Sequence, residues 1–330
     1  MAAVLSSRAA PLPCSPVLSS AKPRPKPTLR HSVCVVRCTA QEAGTSTGTP
    51  ITPPPGFKPP EPKRFSVRPD KLLDIIGASL ALPFRLGTGA FVLGYSVSFV
   101  SQDAIPSTQY AMDFAGIKLK ETSKLGPRPE KPIEIYEFES CPFCRKVREM
   151  TTVLDLDVLF YPCPKNGPNF RPKAIQMGGK KQFPYMVDPN TGVAMYESDN
   201  IIRYLANKYG DGTIPSMLSL GLLTTLTAGF AMIGRGGRGS SYTPSKPPSL
   251  PLELWAYEAS PFCKIVREVL VELELPHLLH STARGSPKRQ LLFEKVGHFQ
   301  VPFLEDPNTG IKMFESAEII DYLKTTYAIQ

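Results

Sequence analysis

Cys141-Pro142-Phe143-Cys144 follows the alternating run Ile133-Glu134-Ile135-Tyr136-Glu137-Phe138, and the reading of this stretch decides the fold around it. Alternation of apolar and other residues over six positions predicts a strand with one buried face. Pro142 then marks a helix start, because the N–H that proline lacks would have no intrahelical partner in the first turn. Phe143, Val147, Met150 and Leu154 recur at helical spacing, so the stretch reads as strand, tight turn and amphipathic helix, with the apolar stripe facing a sheet.

The same pattern returns later in the chain. Leu252-Glu253-Leu254-Trp255-Ala256-Tyr257 answers to the first run, and Ser260-Pro261-Phe262-Cys263 answers to Cys141-Pro142-Phe143-Cys144. Phe183-Pro184 matches Val301-Pro302, Asp188-Pro189-Asn190-Thr191-Gly192 matches Asp306-Pro307-Asn308-Thr309-Gly310, and Glu197-Ser198 matches Glu315-Ser316. Repetition of a whole motif order signals one structural unit used twice. In each copy a second strand, a polar helix, a third strand, a hairpin on the Asp-Pro-Asn-Thr-Gly turn and a last helix are expected. The resulting organisation is α/β, with repeats at 131–210 and 251–330.

Two tandem modules of this order, each a mixed four-stranded sheet with helices, resemble the thioredoxin superfamily, and more narrowly glutaredoxins and the N-terminal domain of glutathione transferases. The resemblance implies that Pro184 is a cis-proline facing the active cysteine. It further implies that Phe183 pairs its backbone with glutathione, that Glu197 and Ser198 hold the γ-glutamyl end, and that a basic or amide side chain among Lys180, Lys181 and Gln182 approaches the glycine carboxylate. The matching second-module residues are Ser260, Cys263, Val301, Pro302, Glu315 and Ser316. Tandem modules behind a transit peptide resemble a plant plastid family.

A disulfide is reduced by a thiolate, so the attacking cysteine needs a lowered pKa. Cys141 stands just ahead of a helix, where free N–H groups and the helix dipole favour an anion, and Arg145 and Lys146 add positive charge nearby. Cys141 is therefore the expected nucleophile and Cys144 the resolving thiol. Residues 131–210 contain no His, which disfavours a Cys-His hydrolase, and no second Cys pair or His pair stands at metal-ligand spacing. No metal is expected. Ser260 replaces the nucleophile in the second copy, leaving either a serine-type glutathione transferase site or a degenerate module.

The chain has 330 residues and a formal charge of +9. Six of its basic residues, Arg8, Lys22, Arg24, Lys26, Arg30 and Arg37, lie in a first segment without acids, and no nucleic-acid motif is present. Residues 1–40, rich in Ser, Ala, Arg and Pro, resemble a transit peptide and imply a chloroplast location, stromal or membrane-associated. Residues 41–65 are rich in Gly, Thr and Pro and are expected to form a disordered linker. Residues 66–130 are expected to form a helical extension, apolar over 71–100 and broken at Pro83. Residues 211–250 hold an apolar helix within 212–234 and a Gly/Pro/Ser linker. Leu218, Leu222, Leu226, Phe230 and Ile233 make a one-sided stripe there, so helices packed on the modules or lying on a membrane surface are favoured over a span.

The function expected is a glutathione-dependent thiol-disulfide oxidoreductase, with glutathione as co-substrate and protein disulfides or thiols as further partners. A glutathione transferase or glutathione-dependent isomerase is the alternative, since the C-P-F-C domain also resembles membrane-associated prostaglandin E synthase type 2. A non-catalytic glutathione-binding or interaction protein is the third reading.

Overall fold

Strand β4 (Ile133–Glu137) runs into helix α3 (Pro142–Val153) in the computed structural model, which describes residues 51–63, 66–114 and 116–329. Residues 1–40, expected to be a transit peptide, and the start of the expected linker lie outside the described residues. Ahead of β4 come α1 (Leu72–Ser79), α2 (Ala81–Phe84), β1 (Ser96–Val100), β2 (Met112–Phe114) and β3 (Ile117–Thr122). After α3 follow β5 (Val158–Pro162), α4 (Phe170–Gly178), β6 (Tyr185–Asp188), β7 (Val193–Met195) and α5 (Ser198–Tyr209). These complete the first module. Helices α6 (Ser216–Ser219) and α7 (Leu222–Ile233) lead to the second. It repeats the order as β8 (Leu252–Ala256), α8 (Pro261–Glu272), β9 (His277–Ser281), α9 (Lys288–Val296), β10 (Phe303–Asp306), β11 (Ile311–Met313) and α10 (Ser316–Tyr327).

Within each module the first two strands are parallel and the last two antiparallel, as a crossover helix followed by a hairpin requires. The Asp-Pro-Asn-Thr-Gly turn does more than close the hairpin. Tyr204 and Tyr209 of α5 both donate to Asp188 Oδ2 at 2.6 Å, and Tyr322 and Tyr327 of α10 repeat this on Asp306 at 2.6 and 2.7 Å. Each last helix is thereby fastened to its own sheet.

The two sheets are joined. β5 pairs antiparallel with β9, giving one eight-stranded sheet in the order β11-β10-β8-β9-β5-β4-β6-β7. Leu159 faces Leu278, its own counterpart in the repeat, while Val158 faces Leu279 and Phe160 faces His277. A register centred on two equivalent residues places a pseudo-two-fold axis between them.

The expectation of a helical extension over 66–130 holds only for its first part. Residues 96–122 form a separate antiparallel sheet in the order β1-β3-β2, whose alternation (Val97, Phe99; Leu119, Glu121) is that of strands. The apolar stripe of α7 also faces the other way from a core stripe. Leu222, Leu226, Phe230 and Ile233 are exposed, while Thr224, Ala228, Ala231 and Met232 are buried and only Leu218 of the stripe points inward. Small residues let α7 lie close on α3, and α1 lies in the same way on α8.

These helices belong to the repeat. Leu72-Leu73, Ala78, Ala81, Arg85, Gly87 and Gly89 recur in register as Leu222-Leu223, Ala228, Ala231, Arg235, Gly237 and Gly239. Arg85 donates to Glu149 Oε2 at 2.6 Å and to the Thr224 carbonyl at 3.1 Å; Arg235 donates to Glu268 Oε2 at 2.8 Å and to the Asp74 carbonyl at 3.0 Å. The segments after the helices cross the axis. Ala90 and Val92 pair with Arg284 of the second module, and Ser240 and Tyr242 pair with Lys165 of the first.

Residues 51–63 are also ordered, contrary to the expectation of a disordered linker. A proline-rich segment cannot build a core of its own, but Ile51 and Phe57 pack against the main core cluster. Phe57 lies against Tyr322, with ring centroids 5.1 Å apart.

Candidate functional site

Cys141 is the N-cap of α3, in extended conformation, and its Sγ accepts a hydrogen bond from the Cys144 N–H at 3.3 Å. The side chain therefore satisfies one of the donors that a helix start leaves unpaired. The Cys144 thiol donating to Cys141 holds the Cys141 thiol below its ordinary value, helped by the backbone N–H groups of Cys144 and Phe143 and opposed by burial. Burial, followed by the adjacent Cys141 sulfur, pushes Cys144 well above the ordinary thiol range. The two thiols are thus differentiated as nucleophile and proton-holding partner. Both are free.

Arg145 and Lys146 do not serve the sulfur as expected. Arg145 lies buried between Glu149 and Glu258, 3.0 and 3.3 Å away, and Lys146 pairs with Asp199 at 2.5 Å. Each cation is committed to a carboxylate instead. Cys141 is only 5% exposed, whereas Phe143 beside it is 46% exposed. Ser140 contributes to this cover through its hydroxyl, 2.5 Å from that of Ser240 in the arm after α7.

The Phe183–Pro184 and Val301–Pro302 bonds are both cis. The β4–β6 register, which pairs Tyr136 with Tyr185, sets Phe183 beside Phe138, and the two rings meet edge to face at 6.1 Å. Phe138 is three residues ahead of Cys141, so the proline turn and the cysteine turn share one end of the sheet. Arg171 covers both rings, 4.7 Å from that of Phe183 and 5.5 Å from that of Phe138. It also donates to the Cys163 and Pro164 carbonyls at 2.9 Å. Sequence reasoning passed over this arginine, although Arg289 stands at the matching place and donates to the Thr282 and Ala283 carbonyls at 3.0 Å. Cys163 is buried and its thiol is pushed well up by that burial, as a small apolar core residue requires.

Glu197 has φ 67°, a conformation few non-glycine residues adopt and one that concentrates at binding sites. It, and not Ser198, is the N-cap of α5; Ser198 occupies the first helical turn, and no side chain caps this end. The Gln182 amide donates to Glu197 Oε1 at 2.6 Å, while Lys181 is exposed. Gln300 repeats the contact on Glu315 at 2.7 Å, and Glu315 has φ 70°. Of Lys180, Lys181 and Gln182, the three side chains expected ahead of the proline, Gln182 is therefore the one built into the site. The paired Gln-x-Pro and Glu-Ser motifs carried that signal.

In the second module Ser260 is the N-cap of α8 and its Oγ accepts from the Cys263 N–H at 3.3 Å, copying Cys141. Cys263 is buried, and burial raises its thiol pKa.

A parallel strand pair around a helix that opens on the reactive turn, a cis-proline strand and a closing hairpin define a thioredoxin-like domain, present twice. Residues 135–213 and 254–329 each match the family of the glutathione S-transferase N-terminal domain. Two solved structures of a glutathione transferase from Bombyx mori are similar to part of the chain. One is 33% identical over 26% of this chain and 38% of its own, with a TM-score of 0.23. The other, a complex with GTT, is 32% identical over 27% of this chain and 42% of its own, also at 0.23. The chain thus spans well under half the length of these relatives. No curated protein matches it.

Proposed function

We propose that the protein is a glutathione-dependent thiol-disulfide oxidoreductase acting through Cys141 and Cys144. The observation that carries this is the Cys141 sulfur at the start of α3, hydrogen-bonded by the Cys144 N–H at 3.3 Å with its pKa lowered while that of Cys144 is raised. The Cys141 thiolate attacks one sulfur of a disulfide; a new S–S bond forms, the old one breaks, and the departing thiolate takes a proton. Cys144 then gives up its proton and attacks the Cys141 sulfur, closing the intramodule disulfide and releasing the second thiol. Two glutathione molecules restore the dithiol and leave as glutathione disulfide. The Glu197-Ser198 helix start, the Gln182 amide and the Phe183–Pro184 strand support glutathione as the bound thiol. Composition of the first 41 residues supports a plastid location.

Reduction of a mixed disulfide between glutathione and a small thiol tests this. Cys141→Ser should abolish turnover, and Cys144→Ser should retain exchange with glutathione while losing the intramodule disulfide. Retained turnover in Cys141→Ser would sink the proposal.

The alternative is a glutathione transferase or isomerase centred on Ser260, favoured by the Oγ geometry that copies Cys141. Conjugating activity that survives Cys141→Ser would support it. We also infer contact with a lipid surface. No helix among the described residues is long and apolar enough to cross a membrane. However, α1, α2 and α7 turn leucines outward, while Asp74 on α1 and Arg85 and Arg235 just after α2 and α7 are held inward in ion pairs, with the cationic Arg238 exposed at the border.

A further inference from the structure

The two clefts are built alike and differ in what covers them. In the first module Glu197, Asp199 and Asn200 are exposed. Their second-module counterparts Glu315, Ala317 and Glu318 are half-buried or buried. The cover is the chain's own segment ahead of α1. The Lys63 N–H donates to Glu315 Oε1 at 2.6 Å, the Arg68 guanidinium reaches Asp321 at 2.7 Å and also pairs with Glu318, and Phe57 lies on Tyr322. Pro60, Glu61 and Lys63 close over Phe262, Glu315 and Ser316, leaving a cavity of about 240 Å³. That is smaller than the ~300–1,000 Å³ of an ordinary ligand pocket.

The segment suits this place chemically. Prolines 53–55, 59, 60 and 62 favour an extended backbone with little conformational entropy left to lose, and such a backbone has N–H groups that need acceptors. Glu315 supplies one of them. Its counterpart Glu197 accepts a bond from Gln182 but has no such peptide partner among the described residues. An extended tripeptide needs the same acceptor and the same wall of α10, so the two occupants exclude each other. The segment is tethered, which keeps its effective concentration high, and the apparent affinity of any competitor falls by the fraction of chains in which the cleft is open.

We propose that the segment carrying Phe57, Lys63 and Arg68 is a built-in occupant of the second cleft, so that the folded chain offers glutathione one site instead of two. This rests on reading the clefts as glutathione sites, and the experiment separates the two ideas. Calorimetric titration of the full-length protein with reduced glutathione should give one equivalent. Phe57→Ala combined with Arg68→Glu, which removes the ring contact and repels Glu318 and Asp321, should give two, and adding Glu315→Lys should return the count to one. Hydrogen exchange at the Lys63 amide supplies a readout independent of glutathione: slow in the parent protein and fast in the double variant. Two equivalents in the parent protein, an unprotected Lys63 amide there, or continued protection in the double variant would each overturn the proposal. So would a double variant with a released Lys63 amide whose count does not exceed that of the parent protein. A parent protein that binds none, with one equivalent appearing in the double variant, would remove the first-module reading and leave this one standing.

Discussion

A thiol buried to 5% exposure loses hydration that would stabilise its anion, so burial alone would make Cys141 a poor nucleophile. Its pKa is nevertheless lowered, and the first cause is the Cys144 thiol donating to it. The two sulfurs therefore depend on each other: the hydrogen bond that makes Cys141 acidic also makes Cys144 reluctant to ionise. Replacing Cys144 by alanine removes that donor and leaves the backbone N–H in place. The rate of alkylation of Cys141 by iodoacetamide follows its thiolate fraction. In the parent protein the rate should therefore rise through a midpoint below the ordinary thiol pKa. In Cys144→Ala the midpoint should move upward, toward the ordinary value. A midpoint that does not move would assign the acidity to the helix start alone.

At the scale of elements, α1, α2 and α7 invert the usual amphipathic arrangement. Arg85, Arg235 and Asp74 point inward to ion pairs, while Leu73 is 81% and Leu222 84% exposed. A soluble helix normally buries its leucines, and an exposed apolar patch of this kind marks an interaction site. Helix α7, with 12 residues, is about 18 Å long at ~1.5 Å per residue, too short to cross a hydrocarbon core of ~30 Å. It fits a helix lying in the plane of a lipid surface. Leu73→Glu together with Leu222→Glu should then reduce sedimentation with phosphatidylglycerol-containing vesicles by on the order of tenfold or more, since each buried leucine is worth ~1.5–3 kcal/mol. Thiol-disulfide turnover should be unchanged. Equal sedimentation of variant and parent would exclude this face.

These elements also show what the sequence disclosed. Strands β4 and β8, the turns after them and helices α3 and α8 were legible, because alternation, Pro142 and Pro261, and the helical stripes all agreed. The orientation of α7 was not legible. A leucine stripe has the same period whether it meets a core or a membrane, and Thr224, Ala228 and Ala231 carry no signal of burial by themselves. The homology of α1 with α7 was masked by the β1–β3 sheet, which separates α1 from the first module and has no counterpart in the second. Arg171 was missed for a different reason: its role arises from the register that sets Phe138 beside Phe183.

For the whole molecule the axis between Leu159 and Leu278 is the governing feature. Glu139 of the first module holds Lys264 and Arg267 of the second at 2.9 and 3.2 Å, and Glu258 of the second holds Arg148 of the first at 3.1 Å. All are buried. A buried ion loses several kcal/mol of hydration and recovers it only while its partners stay in place. The arms that cross the axis add backbone pairing at Arg284 and Lys165. Arg148 also pairs with Glu139, and Arg267 with Glu258, inside their own modules, so the network is continuous across the axis; parting the modules would strip buried charges of some of their partners, and the two should unfold together. Trp255 is the single tryptophan and reports the second module, while Cys163 is buried in the first. In a guanidinium titration, tryptophan fluorescence and alkylation of Cys163, located by peptide mapping, should share one midpoint, as a two-state transition requires. Separate midpoints would show that the modules are stable apart, and that the shared sheet and the charges across the axis contribute little to holding them together.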